Sequence, residues 1–405
     1  PASLLRIAHL YTGGTMTTKT SFVATAVRSA LRLAGCGNGE PPAYDLVIRG
    51  GTVFDGTGAP GRIADVAIVG DRIVEIGAIE GQGERSIDAE GLYVAPGFID
   101  MHSHSEVPRL QNGGQGPSFA YQGLTTEIYG ETVSMGPVGG LRENNLPEEL
   151  LGKWVTFGEY LDYQETTGSA INFGSYVGSG GIREVVMGYE DRDPTDNELE
   201  AMKKLVRDAM REGALGISAG MSYVPNIYMS TAELAALVAE SARLGGIFAN
   251  HARTMNGTDP EAISEALEIG ELADAPVHFF HLNSTSSTRA DEFLSRIEAA
   301  LDRGMQVTGD SYTYTWGITG LSAYIPAWAQ EGGTLAMLDR LRDPAERERI
   351  AEDFVTEPPY LANVGWDRVR LGVNDPEVNG KLVSEVATLR ETAPEHAFMD
   401  VVLEQ

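Results

Sequence analysis

PGFIDMHSHSE, residues 96–106, is where the rhythm of this chain changes, and its reading decides the fold. Up to it, the chain runs in short β segments: YDLVIRGGTVFDG, then ADVAIVGDRIVEIG with a Gly70-Asp71 turn, then RSIDAEGLYVAPG. Residues 44–97 therefore form a small β domain, half of a β-sandwich that needs partner strands from elsewhere. After it, strand candidates alternate with helical stretches. They are FIDMHSH (98–104), TTEIYGE (125–131), INFGSYVG (171–178), ALGISAGM (214–221), GIFANHAR (246–253), PVHFFHLN (276–283) and QVTGDSYTY (306–314). The pieces between them, such as PTDNELEAMKKLVRDAMREG and STAELAALVAESARLGG, carry an N-cap residue, apolar spacing of three and four, and a closing glycine.

Repeated strand-helix units imply an α/β fold with a parallel sheet. Seven units with nearly all the histidines at strand C-terminal ends point to a (β/α)8 TIM-like barrel over residues 98–319, because catalytic groups of barrels collect at that face. No Gly-rich phosphate loop opens the first unit, which leaves a nucleotide-binding open sheet as the weaker alternative. Residues 320–405 read as a helical insertion, with DPAERERIAEDF and APEHAFMDVVLEQ as helices and no eighth strand, so the chain is expected to stop before the barrel closes.

The bulk numbers bound the function. A chain of 405 residues, 42% hydrophobic, has enough apolar material for a large core. Thirty basic against 58 acidic residues leave a net charge of −28, which repels phosphate backbones, so nucleic acid is excluded as a partner. A single cysteine, Cys36, excludes an intrachain disulfide framework and any Cys-rich zinc module. No run reaches the roughly 20 apolar residues of a spanning helix.

Residues 1–43 read as a leader. Met16-Thr-Thr-Lys19, then SFVATAV, then LAGC at Leu33 to Cys36 have the order of a bacterial lipoprotein signal, which would make Cys36 a lipid-anchored mature N-terminus. Arg28 and Arg32 interrupt its apolar region, so the alternative is a leader with a free cysteine. The first reading places the protein in the periplasm or on a membrane, the second in the cytoplasm.

The chemistry sits on the histidines. His102 and His104 are two apart on a strand and leave one face, with Asp100 one step deeper. His251 and His281 are thirty apart, about one strand-helix unit, each near the end of its own strand. Four imidazoles converging on one mouth read as a metal site; packed core histidines are the bland alternative. Glu131, at the end of the second strand, could bridge two ions or complete the shell of one. Glu127 shares its parity and lies deeper. His278, three from His281, is expected on the opposite side of its strand, packed against a helix.

At this point the motifs carry a resemblance. PGFIDMHSHSE after ADVAIVGDRIVEIG resembles the amidohydrolase superfamily. GLTTEIYGETVSMGP, REGALGISAGMSYVP, NHARTM, VHFFHLN, GDSYTYT and GLSAYIPAWAQEGG resemble its N-acyl-D-amino-acid deacylase (D-aminoacylase) branch, in consistent order from about Tyr44 to Gln405. The resemblance implies a β-sandwich plus barrel, one or two zinc ions (Zn2+) held by His102, His104, His251 and His281, and hydrolysis of an N-acyl group from a D-amino acid, a small-molecule substrate. It also implies that Glu131 replaces a metal-binding cysteine of that branch, and that Tyr223 helps hold substrate. Asn283 stands where the branch has a lysine for the substrate carboxylate, which leaves Arg253 as the best remaining cation, with an ordinary barrel-rim salt bridge as the alternative reading of that arginine. Asp310 matches a family aspartate that orients neighbours. The general-base aspartate, in an SDG stretch of the eighth strand, has no counterpart and is expected beyond Gln405.

The scheme needs a metal with an open position to lower the pKa of water to about 7 and polarise the amide carbonyl, and a carboxylate to carry the proton to the leaving nitrogen. A cyclic amidase of the hydantoinase kind or a dipeptidase would use the same chemistry, but those carry a carboxylated lysine on the fourth strand and ALGISAGM has none. An inactive truncated or degenerate homologue is the third reading.

Overall fold

The computed structural model describes residues 44–141, 146–253, 260–283, 287–356 and 365–405. The leader, with Cys36 and its lipid-anchor reading, lies outside the described residues. The chain divides into two compact units that meet in sequence at Gly97 and Phe98.

The first unit is a five-stranded sheet. β1 (Tyr44–Val53) pairs antiparallel with β2 (Arg62–Val69), which pairs with β3 (Arg72–Gly77) across the Gly70-Asp71 turn; β4 (Gly83–Asp88) and β5 (Tyr93–Val94) lie parallel to β1. Gly70 takes a φ of 60°, the left-handed value that such a tight turn requires. Period-two alternation sends the adjacent Val66 and Ala67 to opposite faces, where Ala67 is buried with Val47 and Val66 with Val53 and Ala64, while β3 is exposed at every position except Gly77. Arg49 and the Gly50 backbone N–H both bind Asp65, at 2.8 Å each, where the register of β1 shifts.

The second unit is α/β, and all its strand pairs are parallel. β6 (Phe98–Asp100), β7 (Leu124–Tyr129) and β8 (Asn172–Ser175) form one ladder; β9 (Val177–Gly178), β10 (Gly216–Gly220), β11 (Ile247–His251), β12 (Val277–Phe279) and β13 (Val307–Gly309) form another. Only Tyr176 separates β8 from β9, so seven strand positions follow one another in chain order. In a flat sheet the first and seventh would stand six spacings of about 4.8 Å apart, roughly 29 Å. Instead His102, just past β6, lies 4.0 Å from Asp310, just past β13. The sheet is curled so that its two ends approach at the mouth.

One face of the curl is lined by Ile128, Tyr176, Ala249 and Phe280. The other face, with Val177, Ile217, Phe248, Val277 and Phe279, packs against the helices through Val206, Leu234, Ile263 and Ile297. Those helices begin where hydrogen-bonding side chains stop the preceding loop. Thr195 and Glu198 form a capping box at Asp196–Arg211, Thr156 and Glu159 another at Phe157–Thr167, and the Ser230 hydroxyl accepts from Glu233 N ahead of Thr231–Ala242. Residues after 320 are helical, with Thr334–Arg342, Pro344–Thr356, Val383–Leu389 and Pro394–Glu404 around a separate core that includes Leu341, Phe354, Val386 and Phe398. No described residue beyond β13 forms a strand, and no described helix is long and apolar enough to cross a membrane.

Candidate metal centre

Glu131 is the centre of the mouth. Its Oε2 lies 2.7 Å from His102 Nε2 and 3.1 Å from His104 Nε2, and its Oε1 lies 3.4 Å from His251 Nδ1. His251 Nδ1 in turn faces His281 Nε2 at 2.8 Å. The five residues expected as ligands are thus brought together, and His102, Glu131 and His281 have atoms that all fall within 4.8 Å of one another. Glu131 is 7% exposed in its side chain, and its Oε1 is buried with no well-formed hydrogen bond among the described residues.

Local backbone explains how these groups meet. Glu127 and Glu131 share strand parity but diverge, because Gly130 has a φ of 92° and Thr132 one of 61°. The reversal turns Glu131 into the mouth, whereas Glu127 stays on the helix-facing side. Only glycine serves at 130: a Cβ there would sit 2.4 Å from the Tyr176 carbonyl oxygen. A second reversal corrects the expectation for His278. Val277 and Phe279 face the helices, so His278 between them faces inward. It does not pack against a helix but joins Thr308 Oγ1 at 2.8 Å and Asp310 Oδ2 at 3.1 Å. His281, with a φ of 34°, then turns back inward despite its opposite parity. Asp310 fixes that turn by accepting from the His281 backbone N–H at 2.5 Å. Asp100 accepts from His102 N at 3.0 Å, and the His102 ring stacks on Phe280 with centroids 4.1 Å apart.

Electrostatics set the protonation of these groups unequally: the hydrogen bond to Glu131 raises His104. Burial pushes the Glu131 carboxyl up, but the adjacent His102, His104 and His251 imidazoles outweigh it and hold the group well below the usual carboxylate range. Burial, with the neighbouring His251, lowers His281 to about 4, so its imidazole is neutral at pH 7. Burial also pushes Asp310 up, and its bond to His278 more than compensates, leaving it ionised.

A cavity of about 420 Å³ opens over this cluster. Tyr223 lines it, with its ring 4.8 Å from that of His251 and its hydroxyl accepting from Thr319 at 3.4 Å. Asn283 lines it too, accepting from Ser311 Oγ at 3.0 Å. Arg253 is not among the lining residues. Its Nε binds Glu265 at 2.9 Å, and its other nitrogens donate to the carbonyls of Ile227 at 3.0 Å and Met229 at 2.9 Å. The expected substrate cation is instead a brace for the loop that carries Tyr223. Sequence reasoning had not assigned Phe280, Tyr312 or Tyr314 to the wall. The alternation of Tyr312, Tyr314 and Trp316 was its available signal, since Tyr312 and Tyr314 stack at 4.4 Å.

Residues 85–311 match the profile of the amidohydrolase family. The chain is 34% identical over 332 residues to a D-aminoacylase of Alcaligenes xylosoxydans xylosoxydans, covering 78% of this chain and 68% of that one. It belongs to the amidohydrolase family, in the D-aminoacylase branch. Within that branch it is also 36% identical over 249 residues to an N-acyl-D-aspartate deacylase of the same organism, a match covering 60% of this chain and half of that protein. A solved D-aminoacylase structure, described as defining a novel subset of amidohydrolases, superposes with a TM-score of 0.69 at 29% identity and covers 88% of this chain and 70% of its own. Another D-aminoacylase structure, at 28% identity and the same TM-score and coverage, concerns a binuclear metal centre with one-metal activation and second-metal attenuation.

Proposed function

We propose that this amidohydrolase is a zinc-dependent deacylase that cleaves the amide bond of N-acyl-D-amino acids, releasing a carboxylate and an amino acid. The observation that carries the reading is the convergence of three imidazoles on the Glu131 carboxylate, with the fourth, His281, against His251, at the mouth of a curled parallel sheet. The donor set suits zinc: four imidazoles and one ionised carboxylate, with no thiolate. The buried Oε1 of Glu131, lacking a well-formed hydrogen bond, supports a cation at that oxygen. We assign His102, His104, Glu131, His251 and His281 as ligands for one or two ions. The branch resemblance and the 4.0 Å approach of the sheet ends support a barrel over residues 98–319, and the exposed Ile63, Ile73 and Val74 support a half-sandwich over 44–97.

Bound zinc would supply Lewis acidity toward a carbonyl and an acidified water. The chain's own residues do the rest. Neutral His281 and ionised Glu131 hold their lone pairs ready; Asp310 keeps the His281 backbone in its inward turn. Tyr223 and Asn283 present polar groups to a bound amide, and Phe280 shields the back of His102 from water. A hydantoinase-like reading has less support: β10 offers no lysine, and a Cβ on its Gly220 would already meet Thr132 Oγ1 at 1.9 Å.

The test is metal analysis with a paired assay on N-acetyl-D- and N-acetyl-L-amino acids. Zinc that copurifies, and deacylation restricted to the D series, is the expected result. Zinc content unchanged in a His251→Ala, His281→Ala double variant would overturn the ligand assignment.

A further inference from the structure

We propose that Glu127, which touches neither cavity nor ligand cluster, is the positioning residue of the histidine loop: its buried carboxylate holds His102-Ser103-His104-Ser105 from behind and thereby sets the affinity for metal. The proposal rests on the metal reading above and deepens it.

Glu127 is fully buried. Its neighbour Ile128 lies in the inner cluster, so strand alternation puts Glu127 on the helix-facing side. A lone carboxylate there would be costly, and four donors satisfy it. Oε2 takes Arg109 Nε at 2.5 Å and the Tyr129 hydroxyl at 2.8 Å. Oε1 takes the hydroxyls of Ser105 at 3.0 Å and Ser103 at 3.3 Å.

Those two serines alternate with the two histidines. One set of side chains ends on Glu127, the other on Glu131, where His102 and His104 arrive at 2.7 and 3.1 Å. Two glutamates four residues apart therefore clamp one four-residue loop from opposite sides. The Ser103 backbone N–H adds a tie to the Ile128 carbonyl at 2.9 Å. Burial and the contact with Glu127 push the Tyr129 phenol up, so it remains a donor. Arg109 is anchored in its turn by the Gly114 carbonyl at 3.2 Å. A plain ion pair would stabilise the unit without needing the serines. The shared Oε1 is what couples it to the ligands.

Groups that orient metal ligands from behind typically change affinity by about 10–100-fold when removed. Two full-length variants test the coupling. Glu127→Gln keeps the volume and removes the charge. Ser103→Ala with Ser105→Ala keeps the Glu127–Arg109 pair and removes only the link, which guards against loss of folding in the first. Zinc affinity is read by competition with a chromophoric chelator, and ligand geometry by the visible absorption of the cobalt(II)-loaded protein. The expected result is zinc binding weakened about 10–100-fold and altered cobalt bands in both variants, with folding retained in the serine pair. Folded serine variants that bind zinc with wild-type affinity and give wild-type cobalt bands would overturn the proposal, leaving Glu127 a stabilising ion pair. A wild-type protein that fails to bind zinc in the same titration would instead overturn the metal reading beneath it.

Discussion

Replacing Gly130 by alanine tests the backbone reversal that delivers Glu131 to the mouth. The left-handed φ of 92° costs a residue with a Cβ about 1–2 kcal/mol. The new Cβ would also lie 2.4 Å from the Tyr176 carbonyl oxygen and 2.7 Å from Ser175 Oγ, both belonging to the adjacent strand segment. Relieving such overpacking typically costs about 1–3 kcal/mol. The sum is about 2–5 kcal/mol. For a unit of about 300 residues, with an unfolding entropy of about 2.1 cal/mol/K per residue, that lowers Tm by about 3–8 °C. The displaced backbone carries Glu131 with it, so zinc affinity should fall about tenfold or more. Gly304→Ala is the control, because Gly304 has a φ of 90° with nothing within 4 Å of a Cβ; it should cost only the backbone strain and leave zinc unchanged. Calorimetry and zinc titration of both variants decide the matter. If Gly130→Ala loses no more Tm than Gly304→Ala and binds zinc normally, Glu131 reaches the site by some other route and the reasoning fails.

Three other outcomes follow from the same geometry. Arg183 and Glu233 form a fully buried ion pair, and Arg183 also donates to the Glu190 and Arg192 carbonyls, so Arg183→Met should destabilise by about 3–5 kcal/mol in denaturant unfolding without altering zinc content. Asn283→Lys places a cation on the cavity wall and should lower KM for N-acyl-D-amino acids by roughly two- to fivefold, the worth of a partly exposed ion pair, with no effect on an uncharged N-acyl amine; equal changes in both would contradict it. His281, at about 4 against an ordinary 6.5, binds fewer protons folded than unfolded, so its contribution is present above pH 6.5 and lost as pH falls toward 4. Metal-free protein should therefore lose about 3 kcal/mol across that window, and urea titrations of His281→Asn should show a flatter profile.

Much of the architecture was legible because it depends on neighbours in sequence. Thr195 and Glu198, three apart, specify a helix start through bonds they make to each other's backbone. The short stretches 214–221 and 246–253, set between helical segments, mark β10 and β11, whose every residue is buried. The histidines of interest could be chosen from their places at strand ends. Strand parity, however, carried the site only part of the way. It holds while φ stays negative, and it failed at Gly130 and at His281, where single left-handed residues reverse the face. It also failed for His278, whose inward face was misjudged by counting back through that same reversal.

The sequence by itself determined which groups are available for chemistry: imidazoles and carboxylates rather than thiols, on successive strand ends. It determined the family as well, through motifs whose order survives at 34% identity. Only the tertiary structure decided which available group does which task. Arg253 was the natural cation for a substrate until Glu265 and the carbonyls of Ile227 and Met229 claimed it. Glu127 and Glu131 are alike in sequence, and the fold sends one to Arg109 and the serines and the other to the histidines. The physical reason is that a buried polar group must find partners, and several donors and acceptors compete for each one. Strand and helix preferences are settled within a few residues of the chain. The outcome of that competition is settled by groups tens of residues away, which become neighbours only when the sheet curls.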